Sequence, residues 1–232
     1  NTDGSISSTV SANTTSGFSI VSFTGTGSAS TIGHGLNAVP KMYIVKNRST
    51  ASTQWRVYHA SLGATKHMAL DATQAVGTAS SVFNNTEPTS SVFSVGTDDA
   101  ANKSGDSLIA YCFAEKQGFS KFGSYVGNGS ATNGTFVYTG FKPAWLMVKN
   151  TATTSSWEIW DVKRNTFNPT AKSIFPDGSG AEYDYTNRVD LLSNGFKLKT
   201  TSSPNGSGNT HIYMAFAEAP LVGSNNVPCT AR

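Results

Sequence analysis

The chain has 232 residues and a net charge of +3, with 17 basic against 14 acidic side chains. Charged residues make up 13%, about half the usual ~25%, and Lys and Arg stand singly, so no basic run marks a nucleic-acid partner. No apolar run approaches the ~18 residues of a membrane span, no segment reads as a signal peptide, and Cys112 and Cys229 alone make no disulfide framework.

Residues 1–16 are polar, with Ile6 and Val10 as apolar anchors, and read as an extended arm that lies on something else. Beyond this arm the chain is written twice. Phe23-Thr-Gly-Thr-Gly-Ser-Ala29 returns as Tyr125-Val-Gly-Asn-Gly-Ser-Ala131, and Pro40-Lys-Met-Tyr-Ile-Val-Lys-Asn47 as Pro143-Ala-Trp-Leu-Met-Val-Lys-Asn150. Asn102-Lys-Ser-Gly-Asp-Ser-Leu-Ile-Ala-Tyr-Cys-Phe-Ala-Glu115 returns as Asn205-Gly-Ser-Gly-Asn-Thr-His-Ile-Tyr-Met-Ala-Phe-Ala-Glu218, and all three offsets are 102 or 103 residues. A period this long is a domain rather than a solenoid unit. The expected organisation is one repeat at 17–118, a second at 124–220 and a tail at 221–232.

Within each copy the apolar period is two, not 3.6. The runs 42–45 and 145–148 follow a proline and read as central strands. Trp55-Arg-Val-Tyr58 and Trp157-Glu-Ile-Trp160 alternate, with Trp55/Val57 and Trp157/Ile159 assigned inward. Short strands are expected at 68–70, 82–83, 92–95, 189–192 and 196–200, and a helix is conceivable only near 73–78, against Gly77. In 108–115, Ile109, Tyr111 and Phe113 share one face and the small Ala110, Cys112 and Ala114 the other. Many short strands punctuated by Asn-Gly, Asp-Gly and Ser-Gly turns specify an all-β fold. The expectation is two tandem antiparallel β-sandwiches of jelly-roll or lectin-like form, with the N-terminal arm. One sheet joining both copies is the alternative.

The duplication also screens for chemistry. His59 aligns with Asp161 and His211 with Leu108, so no histidine is kept, and no nucleophile, zinc or phosphate-loop motif is present. The loop at 98–106 has oxygen ligands at calcium-like spacing, but its counterpart at 201–209 has no carboxylate, which favours a structural turn. Glu115 and Glu218 are the acids kept at matching positions, and capping of a strand end suits them better than paired-carboxylate hydrolysis. No catalytic residue, metal or cofactor is expected. Aromatic rings amid Asn, Ser and Thr suit glycans, whose CH faces stack on rings while hydroxyls meet amides. The candidates are Tyr58 and Trp160, unless their sheet face is covered, and Tyr183 and Tyr185 in a stretch absent from the first copy.

Six segments carry a wider likeness: Gly17-Phe-Ser-Ile-Val-Ser-Phe-Thr-Gly-Thr-Gly27, Gly33-His-Gly-Leu36 leading into Pro40 to Arg48, Trp55-Arg-Val-Tyr-His59, Thr89-Ser-Ser-Val-Phe-Ser-Val-Gly96, Ser104 to Glu115, and the closing Asn-Val-Pro-Cys-Thr-Ala-Arg232. Together they resemble the repeated β-sandwich domain of marine bacteriophage tail-fibre and other virion-surface proteins. The resemblance implies a non-enzymatic virion protein, either an adhesin for a host surface glycan or a structural decoration or connector. Fibres in general imply a homo-oligomer, a trimer, with the arm docking on other virion proteins. A polysaccharide depolymerase is the remaining class. The second copy departs from the pattern by lacking Gly-His-Gly-Leu.

Overall fold

Runs of β-branched and aromatic residues between Gly, Asn and Pro turns form seventeen strands among the described residues, 1–218, of the computed structural model. The chain divides into two compact units, Asn1–Ala72 with Val76–Glu115, and Thr73–Ala75 with the residues from Lys116 on.

The first unit holds β1 (Ser8–Asn13), β2 (Phe18–Thr24), β3 (Ser30–Gly33), β4 (Pro40–Asn47), β5 (Arg56–His59), β6 (Lys66–Ala69), β7 (Gly77–Thr78), β8 (Val92–Val95) and β9 (Ser107–Ala114). Two single-turn helices, α1 (Ser80–Phe83) and α2 (Asp99–Asn102), complete it. Seven strands form one antiparallel sheet in the order β1-β2-β9-β4-β5-β6-β7, and β3 pairs with β8 as a separate ribbon. Between them lies the core: Val21, Tyr43, Val45, Tyr58, Ala110 and Cys112 of the sheet meet Ile32, Phe93 and Val95 of the ribbon and Phe83 of α1.

The second unit holds β10 (Ser120–Val126), β11 (Phe136–Tyr138), β12 (Pro143–Asn150), β13 (Trp157–Asp161), β14 (Thr170–Ser173), β15 (Tyr183–Leu192), β16 (Gly195–Leu198) and β17 (Thr210–Ala217). Its two antiparallel sheets run β10-β17-β12-β13 and β11-β16-β15-β14. Leu146, Val148, Trp160 and Ala215 from one face Val189, Leu191, Phe196 and Leu198 from the other, a two-layer core. No sheet takes strands from both units among the described residues. The registers of the two units also correspond. Tyr43 faces Cys112 as Leu146 faces Ala215, and each proline-led strand is irregular at the same place, between Pro40 and Met42 and between Pro143 and Trp145.

One expectation changes, one is narrowed and one holds. Residues 1–16 hold the expected extended stretch, and what it lies on is its own unit: β1 pairs with β2 from Ser8↔Phe23 to Asn13↔Phe18, and Ile6 is buried in the core, where Val10 packs. Residues 82–83 are not strand but the end of α1, because Asn84 and Asn85 take φ of 53° and 49° and turn the chain. Residues 73–78 are not helical, in line with Gly77, and 77–78 form β7. The tail expected at 221–232 lies outside the described residues, as does Cys229.

The small side of β9 faces the core. Leu108, Ala110, Cys112 and Ala114 are buried, while Ile109, Tyr111 and Phe113 are half-buried on the opposite face. Burial pushes the Cys112 thiol up to about 12, so it is an inert small hydrophobe. Cys112→Ala installs what Ala215 supplies at the matching position. Urea unfolding is expected to show a loss of no more than about 1 kcal/mol, and a loss above about 3 kcal/mol would give the sulfur a packing role that Ala215 lacks.

Candidate functional site

The blocks kept between the copies hold loops in place. Asn47 Oδ1 accepts from Ser49 N–H and Thr50 N–H at 2.9 and 3.0 Å, and Asn150 Oδ1 from Ala152 and Thr153 at 2.9 and 3.3 Å. The preceding lysines reach the carbonyls of Thr53 and Ser155. Asn102 and Asn205, both fully buried, bind the Gly-x-Gly turns: Asn102 accepts from Thr26 N–H at 2.9 Å and donates to Ser28 O and Gly96 O at 2.7 Å. Asn205 donates to Ser130 O, Thr200 O and Asn128 Oδ1 at 2.9–3.0 Å. A Cβ at Gly25 or Gly127 would lie 2.2 or 2.4 Å from the Lys103 or Gly206 carbonyl, which is why glycine stands there. The acidic loop is structural as well. Asp98 caps α2 through Ala100 N–H at 3.0 Å and grips Arg56 at 2.8 and 3.1 Å.

Tyr58 and Trp160 are not exposed platforms. They are 2% and 0% exposed, each in the core of its unit. Alternation fixes two faces of a strand but not which one meets the core: Tyr58 and Trp160 join the core clusters, while Val57 and Trp157 are buried, as expected, but on the opposite face. Tyr58 stacks on Tyr43 at 4.6 Å and its hydroxyl binds Glu87. The outward face carries Trp55, half-buried and stacked on Tyr111 at 6.3 Å and 15°. Lys46 Nζ lies 5.7 Å above the Trp55 ring. With Ile109, Arg48, Thr50 and Ala51 these residues line an open cleft of about 510 Å³. A strand-face reversal hides this cleft from sequence reasoning, although each of its aromatic residues is in plain view.

Tyr183 and Tyr185 do come together, with ring centroids 4.5 Å apart at 41°, and Tyr183 is 56% exposed. Beneath them is a support that sequence reasoning missed. The Arg188 guanidinium lies 3.6 Å from the Tyr185 ring centroid, its Nη1 donates to Ser203 O at 2.9 Å, and its Nε stands 3.3 Å from the buried Glu158 carboxylate. Tyr185 and Arg188 have opposite parity, so a regular strand would separate them. The β14–β15 pairing is irregular here, passing from Thr170↔Val189 to Lys172↔Asp184, and the residues in between bring them together. Burial pushes Glu158 up to about 7, Arg188 opposing that rise and the Asp177 carboxylate adding to it.

Of the acids kept at matching positions, Glu218 is exposed and paired with Lys163. Among the described residues no group of three or more His, Cys, Asp or Glu side chains is placed to hold a metal ion. No described helix is long and apolar enough to cross a membrane.

A family model described as a domain of unknown function, DUF7483, matches residues 1–220. The chain belongs to the DUF7483 family. No curated protein and no solved structure matches it. The DUF7483 segment takes in both units, so the pair rather than the single sandwich is what the family describes.

Sites that differ between the two units are therefore features of position within one DUF7483 domain. Lys149 and Trp157, the counterparts of the cleft residues Lys46 and Trp55, are buried, and burial pushes the Lys149 ammonium down to about 8.

Proposed function

We propose that this is a non-enzymatic virion-surface protein that binds a cell-surface glycan through the Tyr183–Tyr185 platform of its second unit. The observation that carries the reading is the propped aromatic pair: an exposed ring on a second ring that an arginine covers, with a buried carboxylate behind the arginine. Stiff rings need little ordering on binding, so more of the contact energy appears as affinity. Asn187, exposed two residues beyond Tyr185, offers an acceptor and donors to sugar hydroxyls. Single sites of this kind are weak, and several copies on one particle raise the avidity.

The test is a glycan array probed with the full chain, followed by titration of any hit with Tyr183→Ala and Tyr185→Ala. Each ring is expected to carry about 1 kcal/mol, a loss of roughly fivefold, with thermal unfolding little changed for Tyr183→Ala. A silent array, together with normal adsorption by virions lacking the protein, would replace adhesion by decoration. Release of reducing ends from a host polysaccharide would make the protein a depolymerase instead.

A further inference from the structure

The first unit carries, open, an arrangement that is closed in the second. In both, the lysine of the Val-Lys-Asn block donates to a loop carbonyl, Lys46 to Thr53 O and Lys149 to Ser155 O. The tryptophan two residues beyond that carbonyl ties its N–H to an aspartate, Trp55 to Asp71 Oδ1 at 3.0 Å and Trp157 to Asp177 Oδ1 at 2.9 Å. The second unit has one partner more. The Thr73 carbonyl, on the Thr73–Ala75 segment that belongs to this unit, accepts from Lys149 Nζ at 2.9 Å and from Ser155 N–H at 2.9 Å. Lys149 and Trp157 are 0% and 1% exposed there. In the first unit, among the described residues, Lys46 meets Thr53 O and the Trp55 ring, and the cleft above them is open.

The two aspartates also set the counterpart of Thr73. It stands two residues after Asp71, as Ser179 stands two after Asp177. Residues 178–181, Gly-Ser-Gly-Ala, match 72–75, Ala-Thr-Gln-Ala, in a hydroxyl residue at the second position and in the final alanine, and differ at Gly180 against Gln74. They are exposed, and a Cβ placed on Gly180 would meet nothing within 4 Å. One molecule thus has an open receptor and an exposed segment of the kind that fills the same receptor elsewhere in its own fold.

We propose that the 178–181 loop of a second copy seats in the Lys46–Trp55–Tyr111 cleft of the first unit. The Ser179 carbonyl of that copy accepts from Lys46 Nζ and Thr53 N–H, as the Thr73 carbonyl does from Lys149 and Ser155. Cleft and loop are different surfaces, so the contact is heterologous: it propagates head to tail, closing into a ring if the rotation permits and growing as a filament if not. The occupant is a neutral, Gly-rich backbone, whose carbonyls suit a cleft lined by the Trp55 and Tyr111 rings and by the cationic Lys46 and Arg48.

Sedimentation of the full chain over a concentration series tests this, with Gly180→Arg blocking the loop and Ala51→Arg blocking the cleft. Both positions are exposed, and circular dichroism melts check that both variants keep the fold. The wild-type mass should rise with concentration above the 24.4 kDa monomer, and each variant alone should associate at least tenfold more weakly. An equimolar mixture should give a dimer that stops there, because Gly180→Arg keeps its cleft and Ala51→Arg keeps its loop. A wild-type chain that stays monomeric, a Gly180→Arg chain that associates normally, or a mixture that does not pair would overturn the proposal. So would a sugar found in the cleft of a monomer, with binding lost in Ala51→Arg. The association outcomes leave the Tyr183–Tyr185 reading untouched; only the sugar in the cleft would bear on it, by giving the glycan a second site.

Discussion

Trp160→Ala is expected to cost the second unit about 3–5 kcal/mol, and Tyr58→Ala a comparable amount in the first. Trp160 is wholly buried, in the cluster with Leu146, Val189, Leu191 and Phe196. Its removal loses the transfer energy of an indole and leaves a cavity that two packed sheets collapse into only partly. Tyr58 lies between Tyr43 and Phe83, at 4.6 and 5.9 Å, and its hydroxyl holds Glu87, which in turn accepts from Ala64 N–H at 2.7 Å. Tyr58→Phe separates the two contributions: it keeps the ring and loses only the hydroxyl, for about 1–2 kcal/mol. Urea unfolding of the three variants decides between core and surface. A Trp160→Ala chain within about 1 kcal/mol of wild type, with its ligand binding lost, would return both residues to the binding face.

These two residues also show where sequence reasoning stops. Alternation in 55–58 and 157–160 is plain, and it identifies strands β5 and β13 correctly. Which face is inward depends on what packs against the strand, and that comes from residues far away in the chain: Phe83 and Phe93 in one unit, Phe196 and Leu198 in the other. The repeat is the more reliable guide. Positions kept at constant spacing, Asn47/Asn150 and Asn102/Asn205, hold turns, the second pair in the Asn-x-Ser-Gly loops read as turns from the sequence.

What the sequence conceals is irregular or relational. The Tyr-Asp-Tyr stretch draws attention to itself, but Arg188 reaches Tyr185 only because β15 departs from regular pairing. The Trp55 cleft is open in one unit while its counterpart is filled in the other, although the Val-Lys-Asn blocks that flank them are identical. Local sequence does not encode that difference. The arm's partner escapes sequence reasoning for a simpler reason: two apolar residues are too few to order a free segment, but Ile6 and Val10 suffice once β2 offers a full row of backbone partners.

Arg188→Met should lower the stability of the second unit by about 3–5 kcal/mol at pH 8, because it leaves the buried Glu158 carboxylate without its counter-charge. The same substitution should cost much less at pH 5. Burial raises Glu158 to about 7 in the folded chain, against 4.5 as its ordinary value, so folding takes up a proton between these limits. The stabilisation this gives is complete below the unfolded value and is lost as pH rises through 7. Removing Arg188 takes away the charge that opposes the rise, so the carboxyl stays protonated to higher pH and the variant recovers stability as the solution is acidified. His211 has the opposite sign: burial lowers it to about 4, and its contribution is lost as pH falls below 6.5. Because His211 is common to both chains, subtracting wild type from variant at each pH removes it. Urea titrations at pH 5, 6.5 and 8 should therefore give a cost that grows with pH. An equal cost throughout would mean that Arg188 acts through its packing on Tyr185 and its hydrogen bond to Ser203 O, and the ion pair would lose its place as the support of the aromatic platform.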